Sequence, residues 1–154
     1  MRPIKAYINL SALTFNLQVV KKIAKNSKIM AVLKANAYGH GLVETVKAIK
    51  SVEGIAILTI EEAVKIRKAG FKNTILLLEG LFGAEDIHEV EKLNLNLALH
   101  NDQQIEYLNE VTLKNPINVH LKINTGMNRL GFPPDQVDYL IENLNANPNV
   151  SGIT

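Results

Sequence analysis

Ala31-Val32-Leu33-Lys34-Ala35-Asn36-Ala37-Tyr38-Gly39-His40-Gly41 is the stretch on which the reading of this chain turns. The residues leading into it, Lys28 to Leu33, are apolar and β-compatible and predict a short buried strand. Lys34 closes that strand, and a loop with two glycines and a tyrosine follows. An ammonium in an apolar setting is costly unless it is paired, neutralised or made covalent. A desolvated lysine gives up its proton more easily, and the neutral amine forms Schiff bases with aldehydes. Gly39 and Gly41 would let backbone approach a ligand closely, and an amide-lined loop running into a helix suits a phosphate. The competing reading is a lysine snorkelling from a strand end, followed by an ordinary glycine turn. Local physics leaves both open.

Outward from that stretch, strand and helix signals alternate. Ile4 to Leu10 alternates weakly as a strand, and Ser11 is a suitable N-cap for a helix with Leu13, Leu17, Val20 and Ile23 on one face. After the glycine loop comes a helix from about Leu42 to Lys50, then a second apolar run, Ile55 to Leu58. Thr59 and Glu62 form a capping box for a helix that stops at Gly70. Thr74 to Leu78 is a third strand, and Ala84 to Leu93 a helix with Ile87, Val90 and Leu93 aligned. Leu95 to Leu99 is a fourth strand, and Asn101 with Gln104 caps the next helix. Ile117 to Ile123, a helix over Pro134 to Asn145, and Val150 to Thr154 complete the series. Parallel strands need crossovers, and helices supply them. No Gly-x-Gly-x-x-Gly follows the first strand, which weighs against a dinucleotide-binding sheet and favours a (β/α)8 barrel.

Composition agrees. The chain has 154 residues, of which 47% are hydrophobic and 21% charged, enough for one domain with a core. Its net charge of +2 is too small, and its basic residues too dispersed, to argue for nucleic acid. There is no cysteine, so disulfides and thiolate metal sites are excluded, and no metal site is expected. The start carries no signal-peptide core, and no apolar run reaches membrane-spanning length. The expectation is a soluble, cytoplasmic protein with no nucleic-acid or membrane partner.

The fifth strand adds chemistry. In Asn118-Val119-His120-Leu121-Lys122-Ile123-Asn124 the apolar residues share one phase and the polar residues the other. A helix-wrapped barrel needs its outward phase apolar, which turns His120, Lys122 and Asn124 inward. A half-exposed edge strand would show the same alternation. The loop that follows, Asn124-Thr125-Gly126-Met127-Asn128-Arg129-Leu130-Gly131-Phe132, presents a fixed planar cation, Arg129, suited to an oxygen anion. On its own, such an arginine could equally be a surface ion pair.

The stretch from Ala31 to Gly41 closely resembles the cofactor-lysine segment of the alanine racemase family, which uses pyridoxal 5'-phosphate. The resemblance implies that Lys34 carries the cofactor as a Schiff base and that Tyr38 lies against its phosphate. The Asn124 to Phe132 loop resembles the family's arginine loop, so Arg129 takes the role of holding the cofactor's phenolic oxygen and contacting substrate. Lys122 matches a lysine that several members carry as a carbamate, an anion placed to orient Arg129. Ala6 to Leu13, running into Asn16-Leu17, also resembles the family, as does Thr59 to Ala63 leading to Arg67-Lys68-Ala69-Gly70.

What the family does is then expected here: interconversion of L- and D-alanine, supplying D-alanine for peptidoglycan, in a homodimer. Racemisation uses two opposed acid–base groups. Lys34 fits one, and the other is a partner-subunit tyrosine from a C-terminal β-domain. Tyr7, Tyr38, Tyr107 and Tyr139 are the chain's tyrosines, and none lies in a matching segment. Residues 1–154 are therefore expected to be the N-terminal portion of a pyridoxal-phosphate-binding barrel, about six of eight strands without the β-domain, and inactive alone. Two other readings stay open: a barrel that holds pyridoxal phosphate without turnover, and an aldolase barrel with a Schiff-base lysine. Alanine and serine are not separated as substrates.

Overall fold

Apolar runs of four or five residues, separated by amphipathic stretches, bury themselves best as parallel strands covered by their own crossovers. The computed structural model describes residues 3–154 and has this arrangement. In chain order the elements are α1 (Leu10–Ile23), β1 (Met30–Val32), α2 (Lys34–Tyr38), α3 (Leu42–Ala48), β2 (Gly54–Ile57), α4 (Ile60–Lys68) and β3 (Thr74–Leu77). They continue as α5 (Ile87–Lys92), β4 (Asn96–Leu99), α6 (Asp102–Asn109), β5 (Ile117–Leu121), α7 (Val137–Ala146) and β6 (Val150–Ile153). Short 3-10 turns, Ala84–Asp86 and Pro134–Gln136, lead into α5 and α7. The six strands are all parallel, and each lies beside the one before it, in the order β1-β2-β3-β4-β5-β6. A doubly wound sheet reverses its direction of growth; this one does not. The architecture is part of a (β/α)8 barrel.

Strand alternation sorts the side chains into two layers. Ile55, Ile57, Ile75, Leu77, Leu97, Leu99 and Val119 point outward and are buried with Ile66, Ile87, Val90, Leu108, Leu140 and Leu144 of the helices. The opposite phase is sparse: Ala56, Leu76 and Ala98 form a small inner cluster with Met30 and Leu78. His120 belongs to this inner phase, in register with Ala98, and its Nε2 lies 3.3 Å from Nδ2 of the Asn96 side chain. The inward orientation expected on this strand holds for His120 and for Lys122, while the Asn124 side chain bonds the loop that follows.

The beginning of the chain departs from expectation. Residues 3–9 form no strand; Ile4 and Tyr7 are 96% and 86% exposed. Alternation makes a strand only where another strand takes up its amides, and none does so here among the described residues. Asn9 rather than Ser11 caps α1, its Oδ1 accepting from the Ala12 amide at 3.0 Å. Of the four apolar residues expected on one face of α1, Leu17 is buried and Leu13 packs against the core, but Val20 and Ile23 are exposed.

Arg67 closes the opposite end of the barrel. Its Nε donates to the Leu93 carbonyl at 2.9 Å, and its two terminal nitrogens donate to the carbonyls of Phe71, Asn73 and Asn94 at 2.7–2.9 Å. Burial lowers its pKa, from a starting value so high that the group stays charged. Four carbonyls at the starts of β3 and β4 thus share one cation. A lysine has no fork and cannot reach all four. Arg67→Lys should cost about 2 kcal/mol of stability and Arg67→Ala about 3 kcal/mol. Urea unfolding should show a lower midpoint with an unchanged slope.

Candidate active site

The site begins with a turn of the wrong hand. Ala35, Asn36, Ala37 and Tyr38 all have φ of 53–55°, and Ala35 to Ala37 have ψ of 45–54°, the values of a left-handed helix. Their sequence contains nothing that forbids the right-handed form. Left-handed backbone costs roughly 1–2 kcal/mol for each L-residue with a Cβ, less for asparagine, so surrounding contacts must hold it. Ala37 is buried, and its amide donates to the Leu33 carbonyl at 2.9 Å. The Asn36 amide donates to Glu62 Oε1 at 3.3 Å, and Asn36 Oδ1 accepts from the Leu42 amide at 2.8 Å. Gly39 and Gly41 continue the turn at φ of 86° and 89°.

This geometry corrects the reading of the loop as a phosphate seat. The amides of Gly39, His40 and Gly41 all donate within the turn, to carbonyls of Ala35, Asn36 and Ala37. The first amide of α3 is taken by Asn36, and α3 is only seven residues long. Gly39 and Gly41 are required by their positive φ, which side chains with a Cβ rarely adopt. The capping box is corrected too. Thr59 Oγ1 accepts from the Glu62 amide at 3.2 Å as expected. The Glu62 carboxylate, however, accepts from Leu58 at 3.1 Å and from Asn36 rather than from the Thr59 amide.

Lys34, which immediately precedes the turn, opens onto a cleft of about 440 Å³ at the C-terminal ends of the strands. Lys122, Arg129, His100 and Glu79 share it, with Leu58, Leu78, Leu130 and Phe82 as apolar walls. None of the three cations is in an ion pair among the described residues. Lys34 and Lys122 are half-buried and Arg129 is exposed. The structure therefore brings Lys34, Lys122 and Arg129 together. Tyr38 lies outside the lining, on the same turn, and is 58% exposed. Sequence reasoning missed His100, Glu79 and the walls. Their signal was position alone: each follows the end of a strand, where barrels build sites.

The loop carrying Arg129 is set by two devices. Asn124 Oδ1 accepts from the amides of Gly126 and Asn128 at 3.1 and 3.0 Å. The loop then closes on itself, with Phe132 donating to Lys122 and Asn124 donating to Phe132, at 2.9 and 2.8 Å. Gly131, at φ 111°, passes so near the Lys122 carbonyl that an added Cβ would lie 2.9 Å from it. On the other side, buried Gln104 donates to the carbonyls of Glu79 and Leu81 and accepts from the His100 amide. His100 Nε2 lies 3.0 Å from the Glu79 carbonyl, which only accepts, so that nitrogen carries the hydrogen.

A larger cleft, about 510 Å³, lies where α3 and α4 end, lined by Lys47, Lys50, Lys72, Gly70 and Phe71. Helix C-termini favour lysines electrostatically, and this end of a barrel serves stability. Its cations have that reading without a ligand. No helix in the described residues is long and apolar enough to cross a membrane.

Residues 8–154 match the family model described as alanine racemase, N-terminal domain. Over 153 residues the chain is 44% identical to an alanine racemase of Burkholderia mallei and 42% identical to a catabolic alanine racemase of Klebsiella aerogenes. Both alignments cover 99% of the chain and 43% of the relative. In three dimensions it is similar to the biosynthetic alanine racemase of Pseudomonas aeruginosa, with a TM-score of 0.94, 38% identity, and coverage of 99% and 43%. The histidine racemase of Leuconostoc mesenteroides is also similar, with a TM-score of 0.79, 27% identity, and coverage of 93% and 40%. The chain thus spans 43% of the length of the curated relatives it matches.

Below the cleft, burial holds the His120 pKa under the ordinary 6.5. The unfolded chain then binds the proton more readily, so stability rises with pH across that interval. The stabilisation is complete above about pH 6.5 and is lost as pH falls from there toward the folded pKa. His120→Gln should flatten this slope in unfolding experiments between about pH 7 and 5. The lowered carboxylates of Glu53, Glu61 and Glu91 act in a separate, more acidic window.

Proposed function

The chain belongs to the alanine racemase N-terminal domain family, and on that premise we propose that it forms the cofactor-bearing barrel portion of an enzyme interconverting L- and D-alanine with pyridoxal 5'-phosphate. The observation that carries this reading is the meeting of Lys34, Lys122 and Arg129 in one cleft. The residues fit the cofactor. Lys34 offers an amine to an aldehyde, Arg129 offers a fork to an oxygen anion, and Leu58, Leu78 and Leu130 offer apolar walls to a flat ring. Pyridoxal phosphate, when bound, supplies a conjugated electron sink that acidifies the α-hydrogen of an amino acid.

The chain's own residues divide the rest of the work. Lys34 would anchor the cofactor through Nζ and, once released, move a proton on one face of the substrate α-carbon. Arg129 would direct its guanidinium at the phenolic oxygen and at the substrate carboxylate. Lys122, as a carbamate, would present an anion that orients Arg129 and removes one of two neighbouring cations. Tyr38 would reach the phosphate with its hydroxyl. The opposing proton carrier is a tyrosine of a C-terminal β-domain, supplied by the partner in a homodimer. That domain, the dimer, cytoplasmic location and the supply of D-alanine for peptidoglycan are inferred from family membership.

Borohydride reduction in the presence of pyridoxal phosphate should place the label on the peptide containing Lys34. A label elsewhere, with Lys34 free, would overturn the assignment. In the full-length enzyme, Lys122→Ala should lower turnover by about 10–100-fold, the usual cost of losing a supporting group. Small carboxylates such as acetate should restore part of that loss, and undiminished turnover would exclude the carbamate.

A further inference from the structure

Helix α4 contributes no side chain to the cleft, yet the carboxylate of its Glu62 is committed to the backbone around it. Oε1 accepts from the Asn36 amide at 3.3 Å, two residues after Lys34, and Oε2 accepts from the Leu58 amide at 3.1 Å. Leu58 is a wall of the cleft. One carboxylate therefore spans the turn that follows Lys34 and the wall beside it, at the end of the neighbouring strand. Asn36 holds the other side of the same turn. Its Oδ1 accepts from the first amide of α3, and its carbonyl accepts from Gly39 and Gly41 at 3.1 Å.

We propose that Glu62 and Asn36 are positioning residues for Lys34, holding the left-handed turn and Leu58 in the relation that presents the amine to the cleft. The inference rests on the functional reading above, in which Lys34 carries the cofactor. The turn has a right-handed alternative that its alanines prefer, and Lys34 immediately precedes it, so relaxation would re-aim the lysine. Chemistry also selects these residue types. Glu62 faces two donors, and a carboxylate is acceptor-only, whereas a glutamine would turn its own amide hydrogens toward one of them. Asn36 combines tolerance of positive φ with an acceptor oxygen; aspartate keeps both properties and alanine keeps neither.

The test is the kinetics of pyridoxal phosphate attachment, followed by borohydride trapping at increasing cofactor concentration. In that step the lysine nitrogen bonds to the aldehyde carbon and water leaves. Glu62→Gln and Asn36→Ala should lower the maximal rate of Lys34 labelling by about tenfold or more, because displacements near 1 Å carry penalties of that order. The half-saturating concentration should stay within about twofold, since the groups that hold the cofactor are intact. Asn36→Asp should stay within about threefold of the unsubstituted protein. A general loss of structure would move both parameters and show in circular dichroism. Labelling of the unsubstituted protein at another residue would overturn the functional reading and this inference with it. Labelling at Lys34, with Glu62→Gln and Asn36→Ala reacting at the unsubstituted rate, would overturn the positioning role alone. Loss of fold in both variants would mean that the pair holds the domain rather than the lysine, and would overturn it as well.

Discussion

A parallel strand in a barrel shows one face to its helices and the other to the interior, and most placements in this chain follow from that alternation. The outward phase is filled by large aliphatic residues such as Ile55, Ile75 and Leu97, each fully buried. Once those are fixed, the inward phase has no freedom. It holds Gly54, Ala56 and Ala98, small enough for the narrow interior, with Leu76 as its bulk. Further along the same phase come His120 and then Lys122, so the polar residues reach the interior because Val119 and Leu121 cannot. A slip of one residue in β5 would put leucine in the cleft and lysine among the helices.

A second layer of organisation is polar. Glu62 and Gln104 each stand three residues after the cap of their helix, and each reaches backward to the preceding loop. Their chemistries match their targets. Glu62 meets two amide donors, while Gln104 meets two carbonyls and one amide, which a carboxylate could not serve. At the opposite end Arg67 gathers four carbonyls, and buried Asn149 bonds the carbonyls of Leu108 and Val111 and the amide of Leu113. In this way side chains satisfy loop backbone groups that no strand reaches.

Elements governed by local rules were legible in the residues alone. The six strands, the caps at Thr59 and Asn101, the inward phase of β5 and the convergence of Lys34 with Arg129 all follow from periodicity, capping chemistry and strand ends. Features decided by tertiary partners were not. Residues 3–9 alternate yet have no strand beside them among the described residues. Ala35 to Tyr38 have ordinary right-handed preferences, and the left-handed turn they form is bonded to Glu62, twenty-six residues beyond Asn36, and to the Leu42 amide at the start of the next helix. For the same reason the loop's amides read as a phosphate seat: nothing local distinguishes a free amide from one bonded within a left-handed turn. The resemblance sets Tyr38 against the cofactor's phosphate, and the structure shows its side chain exposed beside the cleft.

The left-handed turn is, in effect, a short piece of mirror-image protein embedded in a chain of ordinary chirality. Over Ala35 to Tyr38 the stereochemical rules are inverted: a D-residue would sit at ease where each L-residue is strained. Side-chain choice there is narrowed from an unusual side. Valine, isoleucine and threonine, welcome in the strand just before, are the residues such backbone tolerates least. The backbone thus restricts the segment to alanine, asparagine, glycine and side chains unbranched at Cβ. The confinement is set by the hand of the backbone, independently of any ligand.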